Sequence, residues 1–131
     1  MNPNELIEAA RTALDHAHAP YSGYQVGAAL LCMDGTVFTG CNVENASYGL
    51  TNCAERTAVF SAIAAGHTNF SAIAIAAGSE PAPFPCGACR QVLVEFCRPG
   101  FPVHVARADG YETLALGDLL PHTFGGSDGQ S

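Results

Sequence analysis

Two short segments hold the residue types that chemistry needs: Cys53-Ala54-Glu55-Arg56 and Pro85-Cys86-Gly87-Ala88-Cys89-Arg90. Each opens a stretch with helical periodicity. Cys86 and Cys89 stand three residues apart, so one helical turn brings both sulfurs to the same side. Zinc requires converging thiolates of this kind, at ~2.3 Å from the metal. Cys53 supplies a third sulfur. Three protein ligands leave one tetrahedral position open, the mark of a catalytic zinc and not of a closed structural one. Cys53 and Glu55 are two apart and diverge on an ideal helix. They meet at one site only if it lies off the helix end, with Cys53 at the cap or first position. A helix N-terminus carries partial positive charge and lowers a cysteine pKa. Two such ends aimed at one metal would do so twice. A lone Cys-x-x-Cys suits a packed pair or a redox motif as well as a metal. The upstream Cys-x-Glu and the proline before Cys86 tip the balance to a metal.

Three thiolates and one Zn²⁺ carry a net negative charge, which makes a poor Lewis acid. Something should draw charge from the sulfurs. Arg56, beside Glu55, is the nearest candidate for donating hydrogen bonds to ligand sulfur, and Arg90, beside Cys89, is the second.

The elements that must position these residues are legible around them. Asn2 to about His18 predicts a helix, with Pro3 in the first turn, Glu5 and Glu8 suiting its dipole, and Pro20 ending it. Val26–Met33 and Val37–Asn42 predict strands joined by an Asp34-Gly35 turn. Residues 43–52 form a polar loop that stops at Cys53, and a helix runs from there to Ala65, ending at Gly66. Phe70–Ala77 is a strand, 78–85 a proline-rich loop, and Cys86–Cys97 a short helix stopped by Pro99-Gly100. Pro102–Arg107 and Tyr111–Leu116 are strands about an Asp109-Gly110 turn, and a short helix follows near Asp118–Leu120. Such alternation predicts one sheet covered by helices.

The chain has 131 residues, 48% of them hydrophobic and 13% charged, with a formal net charge of −7. It is long enough to bury a core without disulfide staples. All five basic residues are arginines (Arg11, Arg56, Arg90, Arg98 and Arg107), and they are scattered. Polyanion binding needs clustered cations, so a nucleic-acid substrate is not expected and a small neutral or cationic one is. Low charge and alanine-rich segments suggest that other subunits cover part of the surface. No basic start leads into an apolar core, and no apolar run of about 18 residues exists, so neither signal peptide nor membrane span is expected. A cytoplasmic location is expected, in which six cysteines point to metal or catalysis before disulfides. Cys32, Cys41 and Cys97 read as small buried hydrophobes. His16, His18, His67, His104 and His122 lack ligand spacing, and Phe84 and Phe101 read as packing residues.

Cys-x-Glu followed by Pro-Cys-x-x-Cys is one form of the signature shared by zinc deaminases of cytosine and adenine. The segments GCNVENASYGLTNCAERTA (40–58), PCGACRQVL (85–93) and PYSGYQVGAAL (20–30) closely resemble the short, homotetrameric cytidine deaminases, and the likeness spans roughly residues 5–124. The resemblance implies a three-layer α-β-α sandwich around a five-stranded mixed sheet. It implies one zinc per subunit on Cys53, Cys86 and Cys89, with Glu55 shuttling protons between water, ring N3 and the leaving amine. The implied activity is hydrolytic deamination of cytidine and 2′-deoxycytidine in pyrimidine salvage. Asn42, Val43 and Glu44 fall on the segment that holds the ribose. Tyr24, where many relatives carry Phe, falls beside the pyrimidine, and the backbone near Ala54 touches the base. Ala46 to Tyr48 and Phe124 fall on elements given across subunit boundaries to a neighbour's pocket. A single domain over 1–124 and a flexible tail over 125–131 are expected.

Deaminases of tRNA adenosine or of deoxycytidylate typically present His-x-Glu and need basic groups for phosphates, in which this chain is poor. The nearest rival is a deaminase of a cytosine nucleoside antibiotic such as blasticidin S, which also uses three cysteines. Asn42, Glu44 and the ENASYGL loop favour an ordinary ribose. From another class, a non-enzymatic zinc-stabilised binding module would need a fourth protein ligand, which Glu55 could provide.

Overall fold

The Asp34-Gly35 dipeptide begins the sheet where the sequence predicts. In the computed structural model, which describes residues 1–126, the Gly35 amide donates to the Cys32 carbonyl at 3.0 Å. The Thr36 amide donates to Asp34 Oδ1 at 2.9 Å, and Gly35 takes the left-handed φ of +92° that a tight hairpin turn demands. This turn joins β1 (Val26–Cys32) to β2 (Val37–Cys41). The remaining strands are β3 (Phe70–Ala77), β4 (Pro102–Arg107) and β5 (Gly110–Ala115). The sheet order is β2-β1-β3-β4-β5, antiparallel except for the β3–β4 pair. The expected five-stranded mixed sheet is present.

Helices cover both faces. On one lies α1 (Pro3–Leu14); on the other lie α2 (Ala54–Ala64), α3 (Gly87–Phe96) and the short α4 (Leu116–Leu119). The layers are therefore α-β-α, as expected. Side-chain alternation along β3 decides which helix sits where. Ala72, Ala74 and Ala76 face α1 with Leu6, Ile7 and Ala10, while Ile73 and Ile75 pack toward Val59, Leu93 and Val105. The parallel β3–β4 pair needs a crossover, and α3 provides it.

Two glycines let helices touch bare backbone. A Cβ on Gly27 would lie 2.0 Å from the Ala10 carbonyl oxygen of α1. On the opposite face, a Cβ on Gly40 would lie 2.5 Å from the Ala58 nitrogen and 2.6 Å from the Ala54 oxygen of α2. The start of α2 is thus pressed onto β2, which sets the height of Cys53 above the sheet.

The first helix is shorter than its sequence predicts. It opens with a capping box between Asn2 and Glu5 but stops at Leu14, not near His18. The chain turns because the backbone around His18 finds a better partner. The His18 amide donates to the Asn42 carbonyl at 3.0 Å, and the Glu44 amide donates back to His18 at 2.8 Å. The tail expected from Gly125 onward starts in the described region; its residues 127–131 lie outside the described residues.

Candidate metal centre and pocket

Cys53 and Cys86 occupy the N-cap positions of α2 and α3. An N-cap is usually Ser, Thr, Asp or Asn, whose oxygen accepts a helix N–H. Here neither side chain makes a capping bond, and the sulfurs turn to each other instead. Cys53 Sγ lies 3.7 Å from Cys86 Sγ, which lies 3.5 Å from Cys89 Sγ. All three atoms fall within 4.8 Å of one another. Three thiolates ~2.3 Å from one tetrahedral centre would stand ~3.8 Å apart, so the cluster has the size a zinc ion needs. Among the described residues the converging donors are these three sulfurs, and the Glu55 carboxylate is not one of them. A fourth position is thereby left for water or substrate.

The two helix starts are braced by their own sequence. Thr57 Oγ1 donates to the Cys53 carbonyl at 3.1 Å and accepts from Asn52 Nδ2 at 3.1 Å. Arg56 Nη2 donates to Cys53 Sγ at 3.2 Å, the contact expected of a group that draws charge from sulfur. Arg90 acts otherwise. Its Nε donates to the Pro85 carbonyl at 2.8 Å and its Nη1 to the Leu119 carbonyl at 2.7 Å. Both are fixed carbonyl acceptors, so these bonds tie the turn before Cys86 to α4 and replace the sulfur contact expected from sequence.

The charges within the cluster are strongly uneven. The Cys53 thiol is pulled down to about 5, first by its hydrogen bond with Cys89 and then by Arg56 and Cys86. Cys89 is pushed up by the same shared bond and by burial, and the Arg56 guanidinium is held more firmly protonated by Cys53. Glu55 is 5% exposed. Burial, seconded by the charge on Cys53, raises its carboxyl to about 7. A buried acid balanced near neutrality can both accept and give a proton.

Beside the sulfurs is a cavity of about 200 Å³ whose lining includes Tyr24, Asn42, Cys53, Ala54, Glu55 and Phe84. Asn42 is buried, and its amide also holds the wall together: Nδ2 donates to the Tyr24 carbonyl at 2.8 Å and Oδ1 accepts from the Val26 amide at 2.9 Å. Phe84 is no buried packing residue; it is 42% exposed and lines the cavity. Its place between Pro83 and Pro85, just before Cys86, is the signal that could have marked it. Phe101, by contrast, is buried, as are Cys32 and Cys97, while Cys41 is half-buried.

Other expected contacts lie outside this cavity within one chain. The Glu44 carboxylate accepts from the Tyr21 and Ser22 amides at 2.9 and 3.1 Å and from the Ser22 hydroxyl at 2.5 Å. These bonds, led by the hydroxyl, lower its pKa. It faces an adjoining groove with Tyr48 and Asn45, and Thr51 lines both spaces. Val43 is exposed and bridges His18 and Asn52 through its backbone. Ala46, Tyr48 and Phe124 are exposed, Tyr48 at 78% and Phe124 at 88%.

The sequence matches the family described as "Cytidine and deoxycytidylate deaminase zinc-binding region" over residues 1–104, and the chain belongs to that family. A cytidine deaminase of Sporosarcina psychrophila is 46% identical over 129 residues, covering 98% of this chain and 95% of the relative. The crystal structure of cytidine deaminase from Burkholderia pseudomallei superposes with a TM-score of 0.89 at 52% identity, covering 95% of this chain and all of that one. That of Mycobacterium tuberculosis gives 0.83 at 42% identity, with 95% and 98% covered.

Proposed function

We infer that this chain is a zinc-dependent cytidine deaminase, converting cytidine and water to uridine and ammonia. One observation carries the reading: three sulfurs cluster at zinc-binding size, and two of them, Cys53 and Cys86, border one small pocket together with the buried Glu55 carboxyl. Zinc held by Cys53, Cys86 and Cys89 would supply water with its pKa brought toward neutrality. Glu55 does the proton work: it passes one proton from the attacking water to ring N3 and a second, from the hydroxyl so formed on C4, to the exocyclic nitrogen, so that the C4=O bond forms, the C4–N bond breaks and ammonia leaves. Arg56 draws charge from Cys53. Ala54 and Tyr24 border the base, and Asn42 with the 43–44 segment brackets the sugar.

A pocket for a small ligand usually holds ~300–1,000 Å³; the cavity beside the sulfurs is smaller, at about 200 Å³, and the adjoining groove past Thr51, about 370 Å³, is walled on one side only within one chain. Together with the outward-facing Ala46, Tyr48 and Phe124, this supports a homotetramer in which neighbours complete each pocket around a domain of residues 1–124. The same reading includes 2′-deoxycytidine as substrate, a role in pyrimidine salvage and a cytoplasmic location; among the described residues no helix is long and apolar enough to cross a membrane.

Glu55→Gln is the decisive variant. It should keep one zinc per chain yet lose about 10²- to 10⁴-fold in turnover, followed by the absorbance loss and ammonia release when cytidine is supplied. Near-normal turnover in that variant would remove Glu55 from the chemistry. A wild-type chain that binds zinc and leaves cytidine untouched would remove the reading itself.

A further inference from the structure

Residues 79–85 connect β3 to α3 and wall the pocket through Pro83 and Phe84. Three of these seven residues are prolines, which offer no backbone N–H. The segment therefore makes few bonds of its own; the Phe84 amide donates to the Ala82 carbonyl at 3.0 Å. It is fastened at both ends. The Gly78 amide donates to the Gln25 carbonyl at 2.9 Å, and Arg90 Nε holds the Pro85 carbonyl. Between those ends, among the described residues, one hydrogen bond arrives from elsewhere in the chain: the Tyr24 hydroxyl donates to the Pro81 carbonyl. Outside the pocket the Arg107 guanidinium lies 5.4 Å from the Phe84 ring centroid, a cation–π contact that holds the ring but makes no hydrogen bond to the loop backbone.

Tyr24 is itself fixed. Its carbonyl accepts from buried Asn42, and its amide donates to Ser22 Oγ at 3.0 Å. The hydroxyl is thus a peg driven into the middle of a loop that is otherwise held there by packing alone, with Ala82 against the core and Pro83 buried. We propose that Tyr24 is a positioning residue whose hydroxyl, acting through Pro81, holds residues 79–85 as a preformed wall, with Pro83 and Phe84 set against the nucleoside before it binds. The proposal rests on the deaminase reading of the pocket and goes beyond it, because it gives a task to the one atom by which Tyr differs from Phe. A loop ordered in advance costs nothing to order on binding. Without the peg, substrate must order it, and the loss falls on binding and not on the proton transfers at Glu55.

Tyr24→Phe keeps the ring and removes the peg. Hydrogen exchange at the Phe84 amide in the zinc-loaded protein should quicken about three- to tenfold, the range set by losing one hydrogen bond. KM for cytidine should rise by a similar factor, with kcat changing by less than about twofold. Unchanged exchange at Phe84 overturns the proposal whatever the kinetics. Faster exchange with a fallen kcat and an unmoved KM overturns it too, since the loop would then serve the chemistry. If wild-type protein leaves cytidine unconverted, the deaminase reading fails on its own, and exchange alone judges the peg.

Discussion

Replacing Gly40 by alanine should loosen the metal centre without touching a ligand. The added Cβ would sit 2.5 Å from the Ala58 nitrogen, 2.6 Å from the Ala54 oxygen and 2.9 Å from Thr57 Cβ. Ordinary contact starts near ~3.5 Å, so the first turns of α2 must retreat by about 1 Å. Two of the three obstructing atoms are backbone, and a rotamer change cannot relieve them. Overpacking of this sort costs about 1–3 kcal/mol; at roughly 4 °C per kcal/mol for a chain of this length, Tm falls by about 4–12 °C. The retreat carries Cys53 away from Cys86 and Cys89, whereas metal–ligand distances tolerate only about 0.2 Å. Zinc affinity should drop on the order of 10–100-fold, as when ligand support is lost elsewhere. Gly27→Ala is the control, because its Cβ would collide with Ala10 and Leu14 of α1, which carries no ligand. It should destabilise at least as much yet hold zinc as wild type does while folded. Thermal unfolding gives the first quantity, and competition with a chromophoric chelator at low temperature gives the second. Equal zinc affinity in the two variants would refute the claim that the β2–α2 contact sets the position of Cys53.

Two further perturbations test the electrostatics. Arg56→Ala removes the donor to Cys53 Sγ, so zinc release to a chelator should quicken or turnover should fall by about 10–100-fold; if both stay at wild-type values, Arg56 does not tune the sulfurs. Burial lowers the pKa of His104, which meets Thr113 Oγ1 at 2.8 Å and the Tyr111 ring edge-on. The unfolded chain therefore binds a proton at His104 before the folded chain does. Its stability contribution is complete above the ordinary histidine range near pH 6.5 and is lost as pH falls toward the folded value. Tm measured from pH 7.5 downward should decline less steeply in His104→Gln than in wild type, and parallel curves would contradict the linkage.

The chemistry was legible because it is local. Cys86 and Cys89 share one turn, and Cys53 and Glu55 straddle one helix start, so residue type and spacing carried the geometry to the N-caps where it is found. The hairpin, the strand at Phe70–Ala77 and a single sheet covered by helices were legible for the same reason, each marked by its own turn residues or periodicity, whereas the three-layer order came from the family resemblance. What escaped depends on partners far along the chain. Glu44 is held by the Tyr21 amide, 23 residues away, and Pro81 by Tyr24, 57 residues away. The first helix ends early because His18 pairs with Asn42 and Glu44, a bond that no helix propensity foretells. Arg90, adjacent in sequence to a ligand, reaches Leu119 and not sulfur.

Reactive residues and positioning residues therefore leave different traces. A thiolate ligand or a proton carrier must be one of a few residue types, so the alphabet itself betrays it. A residue that positions such a group is chosen for the space or the hydrogen bond it provides. Gly40 is visible only as a missing Cβ, and Pro83 and Phe84 only as punctuation before Cys86. The Tyr24 hydroxyl is a single atom whose meaning depends on where the Pro81 carbonyl lies. Two chains with the same three cysteines and glutamate can thus hold the same zinc and still differ in how firmly they hold a nucleoside. In this fold that difference is written in the β2–α2 contact and in the loop of residues 79–85, because these set the floor beneath Cys53 and the wall opposite it.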